Sequence, residues 1–342
     1  MTNTNTATAG AANHRDASAP PDSLEGGALD AANEFWYEAF EGFRRFTGIP
    51  VTPRTAEQLA AVYACKTGIT ESIAMLPAAV FEDLNERTRS KVRDHYLYRL
   101  LTDQPNDFQD SFQFFEQMQD SALDDGNAYA HKTLAKSGKI LALLPLPYDR
   151  MRVLFANGRR SYEYRQPNGA RRIYEQDEIF HFFHHSKDGL TGRSPIKVVS
   201  DVIGNGIALQ QHGLQIFENG AFLAGFIKVA KAFKDNDART QFMDGFKQYM
   251  GSIATGKYAL VEQGAEFSPL SQTNKDAQFL EAKQASVLDI ARIFRMPPHM
   301  IQDLSQGASY SSIEQQSINF VTYTIQPWIT RWEHAIKRWL LN

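Results

Sequence analysis

The chain has 342 residues, 43% apolar and 22% charged, with 36 Lys and Arg against 39 Asp and Glu and a formal net charge of −3. This balance suits a folded body with a buried core and excludes a protein that grips nucleic acid over its whole surface, which needs excess cations to displace counterions. The one cysteine, Cys65, excludes an intrachain disulfide framework and a Cys-x-x-Cys metal site and fits a reducing compartment.

Residues 1–32 contain no aromatic residue and are rich in Thr, Asn, Ala, Pro and Gly. They cannot bury enough apolar surface to offset backbone ordering, which predicts a disordered tail. No basic stretch followed by an apolar run marks a secretory signal. No uncharged apolar run of about 18 residues occurs anywhere, so no membrane span and no membrane partner are expected. Order is expected to begin near Glu34-Phe35-Trp36-Tyr37. Thr55 and Gln58 form a candidate capping box for a helix carrying Leu59, Val62, Tyr63, Ile69, Ile73 and Leu76 at helical spacing. Pro77 should end that helix, and a short strand is expected over 78–82. A second helix starts at Asp110 or Ser111, buries Phe112, Phe115, Ala122 and Leu123, and stops at Gly126-Asn127.

Six short strands are expected over 129–134, 140–144, 152–155, 161–165, 171–174 and 178–183, forming an antiparallel meander. Ser137-Gly138, Asn157-Gly158 and Asn168-Gly169 supply the positive-φ residues of its tight turns. The body is therefore α+β.

Ser194 and Pro195 then cap a helix that runs to Asn219-Gly220 and carries Gly204, Gly206, Ala208 and Gly213. Small residues lower helix propensity but permit close backbone approach. A mixed unit follows: strands over 226–229, 258–262 and 266–270, with a helix over 236–250 between the first two. Another helix covers 276–294 and breaks at Pro297-Pro298. After a Ser/Gly/Gln-rich segment, Ser311 and Glu314 form a capping box for a last helix to Leu341, bent at Pro327. Its Tyr323, Trp328, Trp332 and Trp339 read as packing residues rather than a base-stacking platform.

Two motifs suggest an enzyme. Gly251-Ser-Ile-Ala-Thr-Gly256-Lys257 matches the start of a phosphate-binding P-loop, but Tyr258 stands where Ser or Thr would ligate magnesium, and a helix precedes it where a strand should. His181 and His185, four apart with His184 between them, could face one metal, yet no matched carboxylate or His-Glu-x-x-His pattern accompanies them. A structural role for the histidines and no cofactor, metal or catalytic residue are expected. A nucleotide hydrolase using Lys257, or a metal hydrolase using His181 and His185, is the alternative.

The chain resembles portal proteins of the HK97 family of tailed bacteriophages. The stretches that carry the resemblance are AVYACKTGITESIAMLP (61–77), DDGNAYA (124–130), LLPLPYDRMRV (143–153), DEIFHF (177–182), DGLTGRSPI (188–196), FENGA (217–221), DAQFLEAKQ (276–284), DIARIFRMPPHMI (289–301) and SSIEQQSINFVTYTIQPWITRWEHAI (311–336). The resemblance implies a non-enzymatic subunit of a twelve-membered ring at one capsid vertex, through whose channel double-stranded DNA is packaged and ejected. It implies an α+β wing at 33–193, stem helices at 194–220 and 276–295, a clip at 221–275, a tunnel loop at 296–310 and a long wing helix at 311–342, with the crown short or absent.

The partners it implies are the terminase large subunit, the major capsid protein, the scaffold or prohead protease, and a tail or head-completion adaptor. Another virion connector is the alternative within this class. Location in the virion follows, after assembly in the bacterial cytoplasm. DNA-channel candidates are Gln302, Ser305, Gln306, Ser309 and Tyr310, flanked by Arg295 where the family commonly has Gly. Gly204, Gly206 and Gly213 are the candidates for stem packing.

Overall fold

The computed structural model describes residues 29–30, 48–85, 88–218, 225–228, 235–253, 266–269, 273–302 and 310–341. The start of order expected at Glu34–Tyr37, the strand expected over 258–262 and most of the expected tail lie outside these residues. Leu29–Asp30 (β1) falls within the span expected as tail, and it pairs antiparallel with Phe155 and Leu154.

The first helical turn, α1 (Pro53–Ala56), is opened by Thr52, not Thr55. Thr52 Oγ1 accepts from the Thr55 amide at 3.2 Å, and the Thr52 amide donates to Thr55 Oγ1 at 2.8 Å. Pro53 at the first helical position presets φ and moves the box upstream of the expected 55/58 pair. Helix α2 (Ala60–Ala74) then buries Val62, Cys65, Ile69 and Ile73 while Tyr63 and Leu76 stay exposed. The expected strand begins three residues late, as the first half of a hairpin of β2 (Phe81–Asn85) and β3 (Thr88–Lys91). Helix α3 (Tyr96–Thr102) has no counterpart in the sequence reading. Asp110 caps α4 (Ser111–Asp124) through a box with Gln113. Its buried face is centred on Phe114, Phe115 and Met118; Phe112, expected inside, is 38% exposed.

The strands are β4 (Asn127–Leu134), β5 (Ile140–Leu146), β6 (Met151–Ala156), β7 (Arg159–Arg165), β8 (Arg171–Glu175) and β9 (Ile179–Phe183). The three expected turns carry positive φ at Gly138, Asn157, Gly158 and Gly169. The strands do not form one meander. They form two sheets, ordered β5-β4-β9 and β1-β6-β7-β8, because β9 leaves β8 and pairs with β4. The reason is burial. Ile179, Phe180, His181 and Phe182 are all buried, because β9 lies with the second sheet on one face and the helices on the other. Tyr129, Ile179 and His181 face Val153, Tyr162 and Tyr174 of the second sheet, whereas Ala128, Ala130, Phe180 and Phe182 face the helices.

The helical part begins with Ser194, whose Oγ accepts from the Lys197 amide at 3.1 Å, and Pro195. The expected single helix is two: α5 (Pro195–Val198) and α6 (Ser200–Glu218), broken where Val199 adopts φ −112° and ψ 25°. Adjacent β-branched Val198 and Val199 lose rotamer freedom in a helix, which favours the break there. Strand β10 (Gly225–Lys228), helix α7 (Asn236–Ile253) and strand β11 (Glu266–Pro269) follow, with β10 and β11 antiparallel. Helix α8 (Thr273–Phe294) packs back along α6.

The last helix is α9 (Tyr310–Phe320), a π turn over Val321–Ile325, and α10 (Gln326–Leu340). Just ahead of Pro327, where a bend is expected, the helix makes this π turn, in which the Gln326 amide reaches the Val321 carbonyl. Trp328, Trp332 and Trp339 are core residues and Tyr323 remains 64% exposed. Trp332 stacks on Phe182 at 4.0 Å, meets Phe115 edge-on at 4.9 Å, and donates Nε1–H to Gln119 Oε1 at 2.9 Å. Lys132 Nζ and the Tyr96 hydroxyl donate to the Trp339 and Leu340 carbonyls at 2.9 and 3.2 Å, closing the end of α10.

One charged cluster is buried between α2 and α4. The ammonium of Lys66, 2% exposed, binds Glu57, Asp120 at 3.0 Å and Asp124 at 2.5 Å. Burial works against the Lys66 charge, but the three carboxylates outweigh it and hold its pKa above the usual lysine value. Three acids share one ammonium, and burial pushes Asp124, the most enclosed of them, up to about 6. A raised carboxyl pKa contributes stability below its unfolded value near 3.8 that is lost as pH rises through about 6. Lys66→Met, leaving the acids unpaired, is expected to cost ~3 kcal/mol at neutral pH. The loss should shrink at pH 5, where Asp124 takes up a proton. Urea midpoints by circular dichroism at the two pH values check this, and an equal loss at both would contradict it.

Candidate functional site

Helix α8 ends in a Schellman-type turn. The Met296 amide donates to the Ala291 carbonyl at 2.8 Å and the Arg295 amide to the Arg292 carbonyl at 3.1 Å. Arg295 has φ +53°, the left-handed conformation that glycine adopts most cheaply at this position. Its carbonyl accepts from Thr324 Oγ1 at 2.7 Å, which ties the turn to the π segment of the last helix. Arg295 is exposed. Burial, then Arg331, and then Arg295 among smaller influences lower His184 to about 4, and burial and Arg295 lower Arg331. His184 stacks on Trp328 at 4.8 Å, and the Arg331 guanidinium lies 5.0 Å from the centre of the same ring.

Beyond Pro297, a 3₁₀ turn over Pro298–Ile301 ends at Gln302, which is exposed and left-handed with φ +60°. Ser305, Gln306 and Ser309 lie outside the described residues. Tyr310 opens α9. His299 was missed by the sequence reading, yet it fastens the two flanks of this segment: Nδ1 meets Gln316 Oε1 at 3.0 Å and Nε2 meets Ser317 Oγ at 3.3 Å. Its only signal was a position just after Pro-Pro, which holds a short turn against whatever follows. The structure thus separates Arg295 from Gln302 by the 3₁₀ turn.

The glycines lie on α6. A Cβ on Gly206 would fall 2.9 Å from Ser286 Oγ and 3.0 Å from Leu59 Cδ1, and one on Gly213 would fall 3.1 Å from Phe279 Cζ. Both therefore face α8 of the same chain. Gly204 is buried.

The body and α6 are joined by two segments that sequence reasoning treated only as motifs. The Gly126 carbonyl accepts from the His184 amide at 2.8 Å, and a Cβ on Gly192 would lie 2.0 Å from that carbonyl oxygen. Asn127 Oδ1 accepts from the Gly192 amide at 2.7 Å, and its Nδ2 donates to the Gly192 carbonyl at 3.1 Å. Ser194 Oγ donates to the Asp124 carbonyl at 2.5 Å, and Lys197 pairs with Asp125 at 3.0 Å.

The enzyme motifs find no matching geometry among the described residues. His181 is fully buried, with Nε2 3.1 Å from Asn127 Oδ1 and Nδ1 3.3 Å from the Tyr162 hydroxyl; burial holds its pKa well below the usual histidine value. His185 lies beyond the end of β9 and is exposed. Glu57, Asp120 and Asp124 come close enough to hold a cation, and the Lys66 ammonium already sits among them. Gly251 to Ile253 form the last turn of α7, so the P-loop-like motif starts inside a helix; Lys257 and Tyr258 lie outside the described residues.

Comparison with known proteins places this arrangement. A family model described as phage portal protein matches residues 60–342. The portal protein of Enterobacteria phage HK97 is 32% identical over 286 residues, which cover 83% of this chain and 67% of that one. The chain thus spans about two thirds of that relative's length. The crystal structure of an HK97 family phage portal protein from Corynebacterium diphtheriae is similar with a TM-score of 0.59 at 15% identity, covering 84% of this chain and 90% of that one. The neck of a native gene transfer agent particle with C12 symmetry gives a TM-score of 0.59 at 22% identity, covering 90% and 84%. From α2 through its last helix, the chain belongs to the phage portal protein family.

Proposed function

We propose that the chain works in a ring of twelve copies through whose channel double-stranded DNA is packaged and later ejected. As a family member it is a portal subunit of a capsid vertex, and the family is a structural one. The observation that carries the reading is the single family match over residues 60–342, which spans the α+β body, the α6–α8 pair, the unit between them and the last helix. The ring size is supported by the C12 symmetry of the similar gene transfer agent neck.

In this reading 33–193 and 311–342 form the wing, 194–220 and 276–295, which hold α6 and most of α8, the stem, and 221–275 the clip. The clip docks the terminase large subunit and then a tail or head-completion adaptor. The wing meets the major capsid protein and the scaffold or prohead protease during assembly in the bacterial cytoplasm. The loop at 296–310 lines the narrowest part of the channel, held by the His299 contacts on its flanks. Its amide and hydroxyl side chains suit phosphate oxygens and carry little sequence information.

Negative-stain microscopy of the purified protein is expected to show closed rings with a central hole, and monomers at all concentrations would contradict the reading. Because Gly213 lies against Phe279, Gly213→Trp should force α6 from α8 and lower ring yield, with the secondary-structure spectrum of the body retained. Replacing 302–309 by a Gly/Ser linker should leave rings intact and reduce the DNA retained in particles; equal packaged DNA would remove the loop from the channel.

A further inference from the structure

The β7–β8 end of the second sheet carries an arrangement that its own packing does not require. The register sets Arg165 directly opposite Arg171, and Tyr164 opposite Arg172. Like charges directly opposed across a strand pair are destabilising. On the neighbouring strand, Arg152 stands opposite Glu163, and Arg150 ends the turn before β6. All five arginines are exposed. The acids at this end are Asp149 and Glu163, and Glu163 is engaged by Arg171 Nε at 3.4 Å. Arg172 lies on the other face of the sheet, over the Tyr174 ring at 4.6 Å. Among the described residues, Arg165 has no carboxylate within ion-pair distance.

We propose that this arginine-bearing end of the sheet is a second contact for the phosphate backbone of double-stranded DNA, separate from the loop at 296–310. The proposal rests on the portal reading, which brings that polyanion to every subunit. Guanidinium groups bind phosphate in a bidentate fashion, and because successive residues of a strand face opposite sides, Arg165 and Arg171 stand side by side on one face of adjacent strands about 4.8 Å apart. An acidic protein partner fits less well. The centre of a protein interface is depleted in charge and built on aromatic and apolar anchors, whereas Ile173 is the one exposed apolar residue on β8. The chain as a whole is net negative, so this end selects an anion whose charge is spread over several positions.

The test is the salt dependence of binding to a 30-base-pair duplex of random sequence, read by fluorescence anisotropy on the assembled full-length protein. Each phosphate contact contributes about 0.9 to the slope of log K against log salt. Arg165→Gln/Arg171→Gln should lower the slope by about 2, while the corresponding double Lys variant keeps it. An unchanged slope in the Gln variant, or an equal fall in the Lys variant, overturns the proposal. So does a Gln variant that binds DNA normally and loses only binding to poly-L-glutamate. An unchanged slope in rings that still assemble leaves the portal reading standing, whereas absence of rings from the unaltered protein removes that reading itself.

Discussion

Two backbones touch where Gly126 meets Gly192, and the placement of the helical arm on the folded body depends on that contact. No side chain fits there: an added Cβ on Gly126 would lie 2.3 Å from the Arg193 carbonyl carbon. The approach lets one asparagine serve both strands of the crossing, with Asn127 accepting from and donating to Gly192 while also meeting His181. Four elements converge on these few residues: the end of α4, the start of β4, the end of β9 and the capped start of α5. Asp124 adds the third direction. Its carbonyl takes the Ser194 hydroxyl and its carboxylate takes Lys66, so the helix cap, the crossing and the buried ion cluster share one residue. Buried polar groups stabilise only when every partner is present, which makes this joint specific in geometry.

Much of this was legible in the sequence, and the part that was not has a common cause. Asp110, Ser194, Pro195, Gly138, Asn157 and Gly169 act within a few residues of themselves, and each cap or turn they signal is present. The destination of β9 was not legible, because pairing with β4 rather than β8 is decided by what covers Phe180 and Phe182, and Trp332 lies about 150 residues away. Likewise Phe112 and Phe114 look alike in a helical stripe; the packing partner chooses between them. Arg295 was legible as a departure from a family glycine, but the hold on its carbonyl depends on Thr324 of another helix. Among the loop candidates, the described residues fix Gln302 and the start of α9 at Tyr310.

Charge in this protein is arranged in patches that its net value conceals. The formal charge of −3 reflects acids and bases that nearly cancel, yet the α2–α4 interior gathers three carboxylates on one ammonium, while the end of α8 gathers Arg295, Arg331 and a histidine kept neutral. In the first, Lys66 and Asp124 are buried and specify how two helices meet. The second borders the aromatic ring of Trp328, whose face offers cations a favourable surface without a counter-charge.

The π turn at Val321–Ile325 has a consequence for how the gene can vary. A π turn is one residue more than the α-helix requires, and each residue advances the helix by about 100°. Removing a single residue here would restore a regular helix and swing Trp328 and Trp332 off Phe182 of β9 and Trp339 off Arg160, while Lys132 and Tyr96 would lose the carbonyls at its end. Length in this segment is therefore constrained to the residue, although its side chains at Val321 and Tyr323 are exposed and free to differ. A point substitution and a one-codon deletion at the same site would fall on opposite sides of tolerance.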